Sequence, residues 1–208
     1  MREPNNKHNV YANYGLDDDE IDMYEIECDS GYVQMCGTRD AWQRLKSLSA
    51  NAADPEVYAQ IKNLLDIDEC CNYMAIQFYL GNNDWPQNNL KAWRPIMENG
   101  KFRFIVFDLD FGFYNNDPFP HFTSRQWYTF CELFDVPGVS HYTREVEIVP
   151  IFMNLLKNAD FRRKFVDAFC LVAGSVFQPE RSRELVNRLV SVVEYMQTRE
   201  SGYPGRNV

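Results

Sequence analysis

Asp84 and Asn89 stand five residues apart in Asp84-Trp-Pro-Gln-Asn-Asn89, a loop sequence whose turn is set by Pro86. A carboxylate and an amide at that spacing suit phosphoryl transfer. The carboxylate can orient an attacking hydroxyl and accept its proton, and the amide oxygen can ligate Mg²⁺ without adding negative charge. Further along, Asp108 and Asp110 close the apolar run Phe102 to Phe107. Two carboxylates there repel each other unless a cation or a donor lies between them. Alternate residues of a strand share a face, so both are expected to reach one hard cation. On residue type alone, Asp84 in Asn82-Asn-Asp-Trp-Pro86 also suits a turn or capping role.

These residues need elements to hold them. Asp66 with Glu69 makes a capping-box pattern, Cys70, Tyr73, Met74, Gln77 and Phe78 keep helical spacing, and Gly81 supplies a stop. That helix delivers the chain to the Asp84 loop. Leu90 to Pro95 and Phe102 to Phe107 flank Met97-Glu-Asn-Gly100, so residues 90–107 read as a β-hairpin with Asn-Gly at its turn. Upstream, residues 1–20 are rich in Asn and Asp, show no period that buries a face, and read as a polar arm. The acidic run Asp17 to Glu20 lacks the alternating ligands and central Gly of an EF-hand. Ile21 to Met35 alternates loosely, as a short strand or irregular segment. Thr38 can cap a helix through Ser47 with Trp42 and Leu45 on one face, and Asp54-Pro55-Glu56 opens another with Val57, Ile61, Leu64 and Leu65 as its stripe. Tyr114 to Tyr142 is a Pro-interrupted covering loop, and helical spacing fills residues 149–200.

The order of helix, Asp-x-x-x-x-Asn loop, β-hairpin and Asp-Phe-Gly is the order in the C-terminal lobe of protein kinases. The run Tyr73 to Phe113, with Asn83-Asp-Trp-Pro-Gln-Asn-Asn89, Trp93-Arg94 and Phe107-Asp-Leu-Asp-Phe-Gly112, resembles the CotH (spore-coat protein H) kinase-like family. Asn9 to Leu16, Gly31 to Leu45 and Asn154 to Leu189 resemble that family's C-terminal half as well. The resemblance implies a mostly α-helical α+β fold, like the C-terminal lobe of an atypical protein kinase, over residues 21–208. It implies transfer of phosphate from ATP, with Mg²⁺, to Ser or Thr of extracytoplasmic bacterial proteins such as spore-coat components. It makes Asp84 the catalytic-loop carboxylate, Asp108 or Asp110 the metal ligand, and Asn89 the second ligand.

A kinase also carries a glycine-rich phosphate-covering loop and a lysine on a strand. This chain has no Gly-x-Gly-x-x-Gly and only Lys7 ahead of Lys46, so the expectation is a catalytic portion that is incomplete or inactive by itself. Two other readings stay open. One is a non-catalytic, pseudokinase-like interaction module. The other is a haloacid-dehalogenase-like phosphatase, with Asp108 as nucleophile and Asp110 as acid, although Phe111-Gly112 replaces that family's Gly-Thr.

Composition narrows the partners. Against 21 basic residues stand 30 acidic ones, a net charge of −9, which repels nucleic acid and anionic lipid. No apolar run is long enough to span a bilayer, and the opening Met1 to Lys7 has no apolar leader. The six cysteines include no Cys-x-x-Cys pair and read mostly as buried thiols; adjacent Cys70 and Cys71 diverge on a helix and disfavour a disulfide. His8, His121 and His141 lack metal-ligand spacing, and Trp85, Trp93 and Trp127 read as core or pocket walls.

Overall fold

A computed structural model describes residues 6–27, 31–82, 84–110, 112 and 146–200. The expected 114–142 loop lies outside these residues, as do Cys28, Cys131, His121, His141, Trp127, Asn83 and Phe111. The chain divides into two compact units, Met1–Phe169 and Cys170–Val208.

The first unit is built around a four-stranded antiparallel sheet in the order β2-β1-β3-β4, from β1 (Ile21–Glu27), β2 (Gly31–Cys36), β3 (Leu90–Pro95) and β4 (Arg103–Ile105). The expected hairpin is therefore half of a larger sheet. Ile21 to Met35 supplies the other half, and its weak alternation has a physical cause. Ile21, Asp22, Met23, Tyr24 and Glu25 are all buried, because both faces of the strand are covered.

One face rests on the first segment of the chain. Helix α1 (Lys7–Tyr14) is capped by Asn6, whose side chain accepts from the His8 N–H at 3.0 Å, and ended by Gly15 at φ 68°. Val10 joins Ile21, Met23, Cys36 and Trp93 in a small core with Leu16 and Ile105 against it, and Tyr14 meets the Trp93 ring at 4.7 Å. Residues 7–14, read from the sequence as part of a polar arm, form this packed helix. A single fully buried residue, Val10, anchors this helix, and one anchor leaves no hydrophobic period to read.

The other face carries the main core. Helix α2 (Asp40–Ser49) brings Trp42 against Tyr24, Phe102 and Phe104. Helix α3 (Pro55–Ile61) starts as the Asp-Pro signal predicts, with the Asp54 carboxylate accepting from the Glu56 and Val57 amides. Helix α5 (Ile148–Leu155) follows Glu147, whose carboxylate accepts from Arg39 (2.6 Å), the Trp42 indole (2.9 Å) and Lys46 (2.7 Å). Those three bonds hold the Glu147 carboxyl below its usual range against the opposing effect of burial. Helix α6 (Ala159–Leu171) sends Phe161 and Phe165 onto Phe152 at 5.9 and 5.0 Å. The second unit contains a π turn (Val172–Val176) and helix α7 (Pro179–Glu200), within the stretch that the spacing predicts to be helical.

Helix α4 (Ile67–Leu80) is the element on which the site depends. Asp66 caps it through the Glu69 N–H, as expected. Glu69 does not complete the capping box, however. The Asp66 N–H goes to the Phe102 carbonyl (3.1 Å), and the Glu69 carboxylate instead accepts the Phe104 N–H with both oxygens at 3.1 Å. The helix is thereby bonded to β4. Cys70 and Cys71 are free, buried thiols, as their spacing predicts, and burial pushes the Cys71 thiol up to about 12.

Burial also pushes the Glu69 carboxyl up to about 7, against the opposing hydrogen bond from Phe104. Its unfolded value is lower, near 4.5, so the folded chain holds the extra proton between the two. The stability this confers is full below the unfolded value and is lost as pH rises through the folded one. Glu69→Gln is expected to flatten the decline of unfolding free energy between pH 5 and 8 by up to about 3 kcal/mol. Urea melts of both proteins across that range measure it, and parallel profiles would refute the assignment.

Candidate functional site

Gly81 ends α4 in the left-handed conformation (φ 58°), its N–H directed to the Gln77 and Phe78 carbonyls. Asn82 comes next and is fully buried. Its amide nitrogen donates to Gln77 Oε1 at 3.0 Å, and its oxygen accepts from the Asp84 N–H at 3.2 Å. A buried amide satisfied at both ends fixes the direction in which the chain leaves the helix. Trp85 seals the loop from beneath. It is 1 % exposed, its indole N–H donates to the Tyr73 hydroxyl at 2.8 Å, and its ring meets the Tyr73 and Phe78 rings edge-on. The Trp85–Pro86 peptide is cis. Trp85 and Trp93 are thus core residues, as expected.

With its neighbours pinned, Asp84 projects a half-buried carboxylate across the loop. Its Oδ2 accepts from Asn88 Nδ2 at 2.9 Å and from Asn89 Nδ2 at 2.8 Å. The two residues singled out by spacing are in direct contact. Asn88 is the partner that sequence reasoning passed over, and the adjacent amides ahead of an apolar strand were its signal. Asn89 is buried and left-handed (φ 55°), and the next residue begins β3. An amide that gives an N–H to Asp84 keeps its carbonyl oxygen as an acceptor, the kind of group a hard cation takes.

Asp108 and Asp110 are placed differently from the expectation of a shared strand face. β4 stops at Ile105, Asp108 is left-handed (φ 50°), and Asp110 lies exposed in a turn. The register explains this. Lys91 pairs with Ile105, so the antiparallel count sets Phe107 opposite Asn89. Asn89 has turned out of strand geometry toward Asp84, so there is no ladder for residues 106–108 to join. The turn is closed by the Gly112 N–H donating to the Leu109 carbonyl at 2.9 Å. A Cβ on Gly112 would stand 2.9 Å from that carbonyl and 3.1 Å from Leu80 Cβ. The glycine thus lets the Asp110 turn press on the last residue of α4, two residues before Asn82.

The Asp84 loop therefore leaves the end of α4, and the Gly112 turn that follows Asp110 packs on the same end. Among the described residues, no three His, Cys, Asp or Glu side chains gather into a metal-binding group. The donors present are oxygens, one carboxylamide and separated carboxylates. That set suits Mg²⁺, which takes one or two carboxylates and completes its shell with water and phosphate oxygens. Among the described residues no helix is long and apolar enough to cross a membrane.

A mostly helical α+β domain with an Asp and Asn loop behind a buried helix, then a hairpin and a second acidic turn, is of the kinase-like class. The family model described as CotH kinase protein matches residues 5–203, nearly the whole chain, and the chain belongs to that family. No curated protein and no solved structure matches it.

The left-handed Asn89 separates two contributions of this residue. Asn89→Gly and Asn89→Ala both remove the amide that holds Asp84, but only alanine is strained at φ 55°. The alanine variant is expected to be less stable than the glycine variant by about 1–2 kcal/mol. Denaturant melts compare them, and equal stabilities would contradict the left-handed conformation.

Proposed function

We propose that the chain carries the catalytic portion of a CotH-type protein kinase that transfers the terminal phosphate of ATP to a Ser or Thr hydroxyl of a protein substrate. The single observation that carries this reading is the Asp84 carboxylate held by Asn88 and Asn89 at the exit of α4, in a chain of this family. The bonds that fix the carboxylate fall on Oδ2. We assign Oδ1 to the incoming hydroxyl, which it orients and whose proton it accepts as the oxygen attacks phosphorus. Asn89 contributes its amide oxygen and Asp108 or Asp110 a carboxylate to hold Mg²⁺. When bound, the ion neutralises charge on the phosphate oxygens. Trp85 and the buried Asn82 keep Asp84 in place without touching substrate, which suits chemistry that rests on positioning.

The haloacid-dehalogenase-like phosphatase reading gains no support from the fold, since β1 to β4 all pair antiparallel, with a single parallel bridge between Leu65 and Phe102 among the described residues. The interaction-module reading differs from the kinase reading only in whether ATP is bound and turned over. Extracytoplasmic location and a coat-type substrate belong to the same proposal, by way of the family.

In the full-length protein, Asp84→Asn is expected to lower phosphate transfer from ATP to Ser/Thr peptides by about 10²–10⁴, with an unchanged circular dichroism spectrum. Unchanged turnover would overturn the role of Asp84. Absence of Mg²⁺-dependent ATP binding by calorimetry would favour the interaction module instead. Phosphate-ester hydrolysis lost in Asp108→Asn would favour the phosphatase.

A further inference from the structure

Two cross-strand ion pairs join β1 to β3, one on each face. Asp22 faces Arg94 and Glu25 faces Lys91 in the register, with Nε to Oδ2 at 2.8 Å and Nζ to Oε2 at 2.6 Å. The first pair also serves the backbone. Asp22 accepts from the Thr38 N–H at 2.8 Å, and Arg94 donates to the Gly100 carbonyl at 3.2 Å, so it ties the ends of two turns. The second pair meets the site. The Lys91 side chain is 14 % exposed and that of Glu25 11 %, and the Lys91 ammonium lies 4.7 Å from the centroid of the Phe107 ring. Lys91 is two residues beyond Asn89, and Phe107 immediately precedes Asp108.

We infer that Lys91, held by Glu25, is a positioning residue that fixes the Asp108 turn relative to the Asn89 loop through the face of Phe107. β4 ends at Ile105, so residues 106–108 leave the sheet without ladder bonds to aim them. A cation under an aromatic ring supplies that restraint, because a desolvated ammonium is attracted to the ring face and cannot move without leaving its carboxylate. Asn89 immediately precedes the strand that carries Lys91, so the restraint bears on the distance between the two candidate metal-binding segments. The positioning step stands on contacts alone. Its effect on Mg²⁺ rests on the kinase reading proposed above.

The test uses the full-length protein with Lys91→Met, Glu25→Gln and Lys91→Arg. In Lys91→Met, amide hydrogen exchange over residues 105–110 is expected to rise about tenfold, a local opening cheaper by about 1.4 kcal/mol. Exchange in α4 should not change, and Lys91→Arg should restore protection because guanidinium keeps both the charge and the ring contact. If Lys91→Met loosens the whole sheet, Glu25→Gln decides, since it frees the ammonium without removing it. Unchanged exchange at 105–110 in both variants would overturn the proposal. For phosphate transfer, the Mg²⁺ concentration giving half-maximal rate should rise several-fold in Lys91→Met while kcat at saturating Mg²⁺ stays within about twofold. A fall in kcat with no change in Mg²⁺ requirement would make Lys91 a direct participant and overturn the positioning role. If the unaltered protein transfers no phosphate, the kinase reading fails, and the exchange measurement still decides the positioning.

Discussion

Both segments that carry candidate chemistry hang from one buried helix, and the hydrogen bonds from α4 to β4 set where they hang. At its start, Asp66 and Glu69 bond the backbone of Phe102 and Phe104. In its middle, Tyr73 stacks on Phe104 at 4.7 Å and accepts the Trp85 indole N–H. At its end, Gly81 and Asn82 launch the Asp84 loop, while Leu80 receives the Gly112 turn. A rigid helix fixed to the strand that leads into Asp108 and to the indole beside Asp84 holds the two loops in one frame. Phosphoryl transfer asks for such a frame, because little of its catalysis comes from covalent chemistry and most from placement.

The sheet completes this frame by burying both faces of β1. Apolar residues on one face pack under α1 and on the other against Trp42, so the strand cannot slip by one residue without sending Asp22 and Glu25 to the wrong sides. The register then sets Phe107 opposite Asn89, and the departure of both from strand geometry is one event with two outcomes. Asn89 turns toward Asp84, and residues 106–108 leave β4 ahead of the Gly112 turn that packs on Leu80.

Much of this was legible in the sequence where one residue type has one physical use. Asp54-Pro55, Asp66 and Gly81 mark helix ends because carboxylate capping, proline at a first turn and left-handed glycine each answer a local backbone need. Asp84 and Asn89 were legible by spacing and prove to touch. What escaped was non-local. Val10 makes a helix necessary only because the sheet above it needs a cover. Glu69 reads as a capping-box acid, yet its carboxylate goes to a strand amide 35 positions away. Asp108 and Asp110 read as strand neighbours because the apolar run continues through Phe107, whereas β4 ends at Ile105. The ion pair of Lys91 with Glu25 requires the pairing of β1 with β3 to be known first.

That ion pair also bears on the lysine that kinase chemistry calls for. A buried pair of opposite charges gains little over apolar side chains of the same shape, since desolvation consumes most of the attraction. Asp22 and Arg94 offset that cost by satisfying backbone groups at Thr38 and Gly100. Lys91 instead has a ring to hold, and that ring adjoins Asp108. Within these strands the lysine beside the candidate site is engaged with a carboxylate and an aromatic face.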